Sequence, residues 1–234
     1  DTGEGFYLAA KGGYNAESHN HNDVGSYIVF LDGEPLLIDV GVGTYTSKTF
    51  SEQRYEIWSM QSSYHNLPDI NGASQPHMIQ WRSDYFAAHD HGSGATIEIG
   101  IASAYPAAAN LADFQRTLHF DRAAERIHLR DELAFLNDRR EQGGNQVDFH
   151  LMTHHVPSQG TEGGTIALAH PENGATRATV RYPSDLNVLV TKIVLEDPRF
   201  AASWGDEIYR ITLSDTLEAG ETVREYPFVI ERSR

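Results

Sequence analysis

A chain of 234 residues with 40% hydrophobic side chains is long enough to bury a real core as one large domain. Its formal charge of −15 argues against nonspecific binding to nucleic acid or to an anionic membrane surface, and no apolar run approaches the roughly 20 residues that span a bilayer. The absence of cysteine excludes disulfides, zinc–thiolate sites and cysteine nucleophiles.

The chain opens DTGEGF, without an initiating Met or a signal-peptide pattern, which suits a piece of a longer protein. Its first unusual stretch is ESHNHNDVGSY, Glu17 to Tyr27. Such a run is poor core material, because every polar atom in it must be satisfied if buried. If the segment is extended, His19 and His21 share a face about 6.5–7 Å apart. That spacing suits two adjacent tasks, one side chain reaching into a cleft and the other holding a metal beside it. SYIVFLDGEPLLIDVG then reads as two apolar strands around an Asp32-Gly33 turn. Asp39 ends the second strand, and an acid in that setting needs a cation or several donors. SEQRYEIWSMQSS is the one helical candidate, at most one short helix near residues 51–60, with Ser51 as N-cap. His65 follows in the polar turn SSYHNLPDING.

From there the period is two. ATIEIGIAS, FQRTLHFDRAAERIHLRDELAF (two strands around a turn near Arg122-Ala123), VDFHLMTHHV, TIALAH, ATVRYP, NVLVTKIVLE and EIYRITLSDTL succeed one another, separated by Gly, Pro, Asn and Asp. The expected fold is all-β, a large antiparallel β-sandwich with several sheets, in one domain over residues 1–234. A phosphate-cradling loop, a dinucleotide glycine pattern and a G-x-S-x-G elbow are all missing. A cupin reading fails on its own residues, since Gly25 and Ser26 stand where a glutamate is needed. His154 and His155 alternate faces, and Trp58, Trp81 and Trp204 read as core or rim. With no cysteine available, His, Asp and His drawn from the HxH pair, Asp39 and His65 make a reasonable zinc set.

SHNHNDVGSYIVFLDGEPLLIDVGVGTYT followed by SSYHNLPDINGASQ resembles the C-terminal part of the heparinase II/III-like polysaccharide lyases, with three motifs in order within the first third of the chain. Leu67 departs from the pattern, where many relatives carry Thr. The resemblance implies metal ligands at His21, Asp39 and His65 around a structural zinc, with Asn66 or Asn22 as partners of the ligating imidazoles. It implies a cleft-lining catalytic His19 that neutralises a uronate carboxylate or moves a proton. It further implies β-elimination of uronate polymers such as heparan sulfate, alginate or a chondroitin-like chain, in the periplasm or outside the cell. In that family much of the chemistry, a tyrosine included, comes from an N-terminal (α/α) toroid. The chain would thus be the β-sandwich half of such a lyase and inactive alone, so Tyr27, Tyr45 and Tyr64 are not assigned that role. Lys11, Lys48, Arg54 and Arg82 are the cations near the motifs that could offset the overall charge. The alternative is a noncatalytic carbohydrate-binding or scaffold module.

Overall fold

The computed structural model describes residues 3–161 and 163–233. Their strands form four antiparallel sheets, as the period-two reading requires. The largest has eight strands in the spatial order Val156–Gln159, Thr165–Ala169, Thr176–Arg181, Val223–Arg232, Arg126–Phe135, Leu111–Asp121, Gly94–Gly100 and Tyr85–Asp90. A second sheet orders Asn187–Val194, Glu207–Thr216, Gln146–Thr153 and Pro68–Ile70. Alternation explains which faces meet. Phe114, Leu118, Ile127, Leu129 and Leu133 are buried, whereas Arg126, His128, Arg130 and Glu132 on the intervening positions are exposed. Across the sandwich, Phe149 packs edge-on against Tyr226 and Phe228, with ring centroids 4.7 and 5.3 Å apart.

The hairpin forms where the sequence places it. Tyr27–Leu31 and Glu34–Leu37 pair around Asp32 (φ 53°) and Gly33 (φ 81°), two left-handed residues that match the twist of the flanking strands. Phe6–Ala10 completes this third sheet. A two-stranded ribbon, Tyr14–Asn15 with Met78–Arg82, is the fourth.

The segment near residues 51–60 differs in kind from an α-helix. It belongs to a series of 3₁₀ turns, Lys48–Phe50, Glu52–Glu56, Trp58–Met60 and Ser62–Tyr64, with the Ser51 hydroxyl capping one of them at Gln53 N (3.2 Å). Ser59, Ser62 and His65 are all fully buried, a repeat of three that matches the three residues per turn of this geometry. The turns thereby carry His65 inside. The one α-helix among the described residues, Pro198–Trp204, was not read from the sequence; Asp197 caps it and Pro198 opens it. It buries Phe200 against Ile38, Val40, Met152 and Ile208 in a small second core. No described helix is long and apolar enough to cross a membrane.

Candidate functional site

The polar run that begins at Glu17 is held by buried side chains from elsewhere in the chain. Asn15 accepts from Asp23 N (3.2 Å), and Gln75 both accepts from Val24 N (3.1 Å) and donates to Val24 O (2.8 Å). Arg54 donates to Asn20 O (3.1 Å), and the Tyr55 hydroxyl donates to Asn20 Oδ1 (2.9 Å). Beneath the loop, Arg116 and Asp131 face each other on adjacent strands of the large sheet and form a bidentate pair, 2.8 and 2.6 Å, at 2% and 0% exposure. The remaining Arg116 nitrogen donates to Gly25 O (2.8 Å) and Asn66 O (2.9 Å). One guanidinium therefore fixes both loops to the sandwich. Gly25 sits at φ 88°, where an added Cβ would lie 2.4 Å from Ile101 Cδ1.

Three of the sequence candidates converge. His21 Nδ1 and His65 Nε2 are 3.1 Å apart, Asp39 Oδ1 lies 3.8 Å from His21 Nδ1, and the three ligand atoms fall within 4.8 Å of one another. Burial holds the His21 pKa below the ordinary histidine value, with Asp39 opposing and Arg54 and Lys11 reinforcing. Burial likewise lowers His65, again against Asp39. Both rings are neutral near pH 7, so a lone pair is available on each. Two such rings can share one proton across the gap, or both lone pairs can face a cation. Zinc–nitrogen bonds of about 2.0–2.1 Å in a tetrahedral site put ligand atoms roughly 3.3 Å apart, so the two histidines fit and the half-exposed Asp39 carboxylate needs a small swing.

The other candidates are placed differently. The HxH segment is not extended: His19 is exposed on a turn at φ 60°, while His21 is buried. A left-handed non-glycine residue of this kind is uncommon and turns the His19 side chain away from a shared strand face. Neither asparagine serves an imidazole. Asn66 donates to Tyr27 O (2.6 Å) and Ile38 O (3.3 Å) and accepts from Met152 N (2.8 Å), joining three elements. Asn22 Oδ1 and His65 Nδ1 are buried without a hydrogen-bond partner among the described residues. Lys11 binds Asp23 and Glu17, Lys48 pairs with Glu56, and Arg82 stands on the exposed ribbon strand, so only Lys11 and Arg54 bear on His21. A cavity of about 200 Å³ opens beside Asp39, with Lys11, Asp23, Ser26 and Tyr27 in its wall. Burial pushes Asp23 there up to about 6 against the pull of Lys11.

Sequence reasoning missed Arg116 and Asp131. The signal was present: each is the one charged residue on the inward parity of its strand, between Phe114 and Leu118 and between Leu129 and Leu133.

The chain matches the model of the family described as heparinase II/III-like, C-terminal, over residues 2–222. Among solved structures it resembles a heparinase III with methylated lysines at TM-score 0.70 and 16% identity, covering 99% of this chain and 33% of that one. It resembles the heparan sulfate lyase HepC from Pedobacter heparinus at TM-score 0.69 and 14% identity, covering 96% and 32%. A further heparinase III matches at TM-score 0.64 and 16% identity, covering 97% and 35%. At these identities the likeness is one of fold, and the chain spans about a third of the length of the structures it matches. No curated protein matches it by sequence.

Proposed function

Since the chain belongs to the heparinase II/III-like family, whose C-terminal model covers nearly all of it, we propose that it is the β-sandwich half of a polysaccharide lyase. The whole protein would cleave uronic-acid-containing polysaccharides by β-elimination, in the periplasm or outside the cell, with an N-terminal (α/α) toroid completing the cleft. The observation that carries this reading is the meeting of His21, Asp39 and His65, two residues along the chain from an exposed His19.

β-Elimination removes the C5 proton of the uronate and breaks the C4–O4 bond, leaving a C4=C5 double bond and a protonated O4. The C5 proton becomes acidic enough only when the neighbouring carboxylate is neutralised. His19 is suited to this work because it is exposed on a turn, and the loop that follows it is held by buried side chains. It can donate to the carboxylate or exchange a proton with the reacting sugar. His21 Nδ1, His65 Nε2 and the Asp39 carboxylate would hold zinc. Bound there, the ion supplies a cross-link between the hairpin and the His65 loop rather than a reacting centre. The buried Arg116 clamp and Asn66 then keep the His19 turn in place.

The test is an assay of the full-length protein on uronate polysaccharides, following the ultraviolet absorbance of the unsaturated product. Activity is expected, with a loss of at least about 100-fold in His19→Ala, and none from the 234-residue chain alone. Elimination by that chain alone, or an unimpaired His19→Ala enzyme, contradicts the reading. Sugar binding by a full-length protein without any elimination favours a carbohydrate-binding module.

A further inference from the structure

His65 is fully enclosed and His21 nearly so, whereas the Asp39 side chain is 40% exposed. The way from solvent to the two imidazoles therefore runs past Asp39, where the cavity of about 200 Å³ opens. Its wall is neutral apart from Lys11, Asp23 and Asp39.

Those charges work against one another. The Lys11 ammonium binds Asp23 Oδ1 at 2.5 Å and lies 3.8 Å from Glu17 Oε2. Among the described residues it is the one donor to the buried Asp23 carboxylate. The same ammonium is close enough to disfavour a positive charge on either imidazole. A divalent ion at those nitrogens would meet that repulsion with twice the charge. Arg54 acts on His21 in the same sense, but it is tied to Thr49 O and Asn20 O and stands outside the cavity wall. On the wall itself two carboxylates face one ammonium, with Glu17 beside it, so the mouth attracts a cation. A mouth that draws a cation is thus joined to a lysine that repels one. The flexible arm of Lys11 resolves the conflict. It is part-exposed and can carry its charge into water while the backbone stays in place. Asp23, freed of that partner, then stands with Asp39 on one wall as a pair of oxygen donors.

We propose that this cavity is the route by which a divalent cation reaches His21 and His65, with Asp23 as the carboxylate that receives the ion and Lys11 as the gate. Lys11 bound to Asp23 keeps the ion out; Lys11 swung into solvent admits it. The route rests on the metal reading of the trio; the repulsion between Lys11 and a cation at those nitrogens does not.

The experiment is stopped-flow uptake of zinc by the full-length protein after treatment with a chelator, followed with a zinc-sensitive dye near neutral pH. Uptake should be at least about fivefold faster in Lys11→Met, no faster than the parent in Lys11→Arg, and back toward the parent rate in Lys11→Met/Asp23→Asn. In the parent it should slow as potassium chloride is raised, because the attraction of the mouth is screened. Every variant should bind as much zinc as the parent, since no ligand is altered, and a thermal melt verifies folding. Equal rates in the parent and Lys11→Met would overturn the gate. Lys11→Met/Asp23→Asn as fast as Lys11→Met would overturn the part given to Asp23, and salt-independent uptake would overturn the route. Loss of zinc from any of these variants would make the two residues supports of the ligands, against the proposal. A parent that takes up no more zinc than His65→Ala would remove the metal reading and this route with it. Unaltered rates with full zinc binding would remove the route alone.

Discussion

His65 is enclosed and His19 stands in solvent, although both are histidines in polar runs of similar composition. The difference comes from local geometry: a three-residue repeat carries one ring inward, and a left-handed turn carries the other out. If the converged ligand atoms hold an ion, purified protein contains near-stoichiometric zinc by plasma mass spectrometry, and His65→Ala loses it. A metal-free parent would mean that the two imidazoles simply share a proton. The convergence of this trio was legible through the resemblance, since the residues alone left open which histidine of the HxH pair would join Asp39 and His65. The conformation of His19 was not, since nothing in HNHND signals a left-handed backbone. The roles given to Asn22 and Asn66 failed for a related reason. A side-chain amide beside a buried loop is drawn first to the orphaned backbone groups around it. Arg116 provides the sharpest residue-level expectation. Arg116→Met leaves Asp131 buried without a partner and should cost about 3–5 kcal/mol in urea denaturation. Arg116→Met/Asp131→Leu should recover most of that loss while the zinc content still falls, because Gly25 and Asn66 have lost their donor.

Two glycines separate backbone strain from steric clash within neighbouring elements. Gly33, in the hairpin turn, has only Gly3 O near an added Cβ, at 3.9 Å, so Gly33→Ala should cost about 1–2 kcal/mol from its left-handed backbone alone. Gly25→Ala adds the collision with Ile101 to the same strain and should destabilise more, as chemical denaturation of the two variants would show; equal losses would mean that the loop shifts freely. The hairpin was legible because Asp-Gly between apolar runs admits one tight solution. The long strands were legible through alternation. The 51–60 stretch was recognisable as helical, but its choice of 3₁₀ over α follows from burying every third residue, which depends on what the turns pack against. The final strand shows a conflict of signals. Tyr226, Phe228 and Ile230 alternate inward, yet Pro227 argues against a strand that proves to lie between two others.

Across the whole molecule, protonation is shaped more by burial than by net charge. His155 is fully enclosed with neither ring nitrogen partnered among the described residues, and burial, helped by His154, His170 and Arg177, lowers its pKa to about 3. Below its unfolded value near 6.5 the unfolded chain takes up a proton that the folded chain refuses. Stability should therefore be intact above that pH and fall toward pH 3, by at most about 1.4 kcal/mol per unit from this group. His155→Leu should flatten the acid limb of a stability-versus-pH curve between pH 6 and 4, whereas an unchanged slope would show that the ring is hydrated.

The Arg116 clamp also has a consequence in time. Its two carbonyl partners lie 91 and 50 residues away along the chain, and its carboxylate partner only 15. Closing the short loop is far less costly in entropy than gathering the distant ones. The pair on the large sheet can therefore assemble early, leaving two empty donors as a dock for loops that arrive late. Any ion would then be captured by an already ordered scaffold instead of nucleating it. Pulse-labelled amide exchange during refolding should find Leu111–Asp121 and Arg126–Phe135 protected before the amides of residues 20–26, with or without zinc in the buffer.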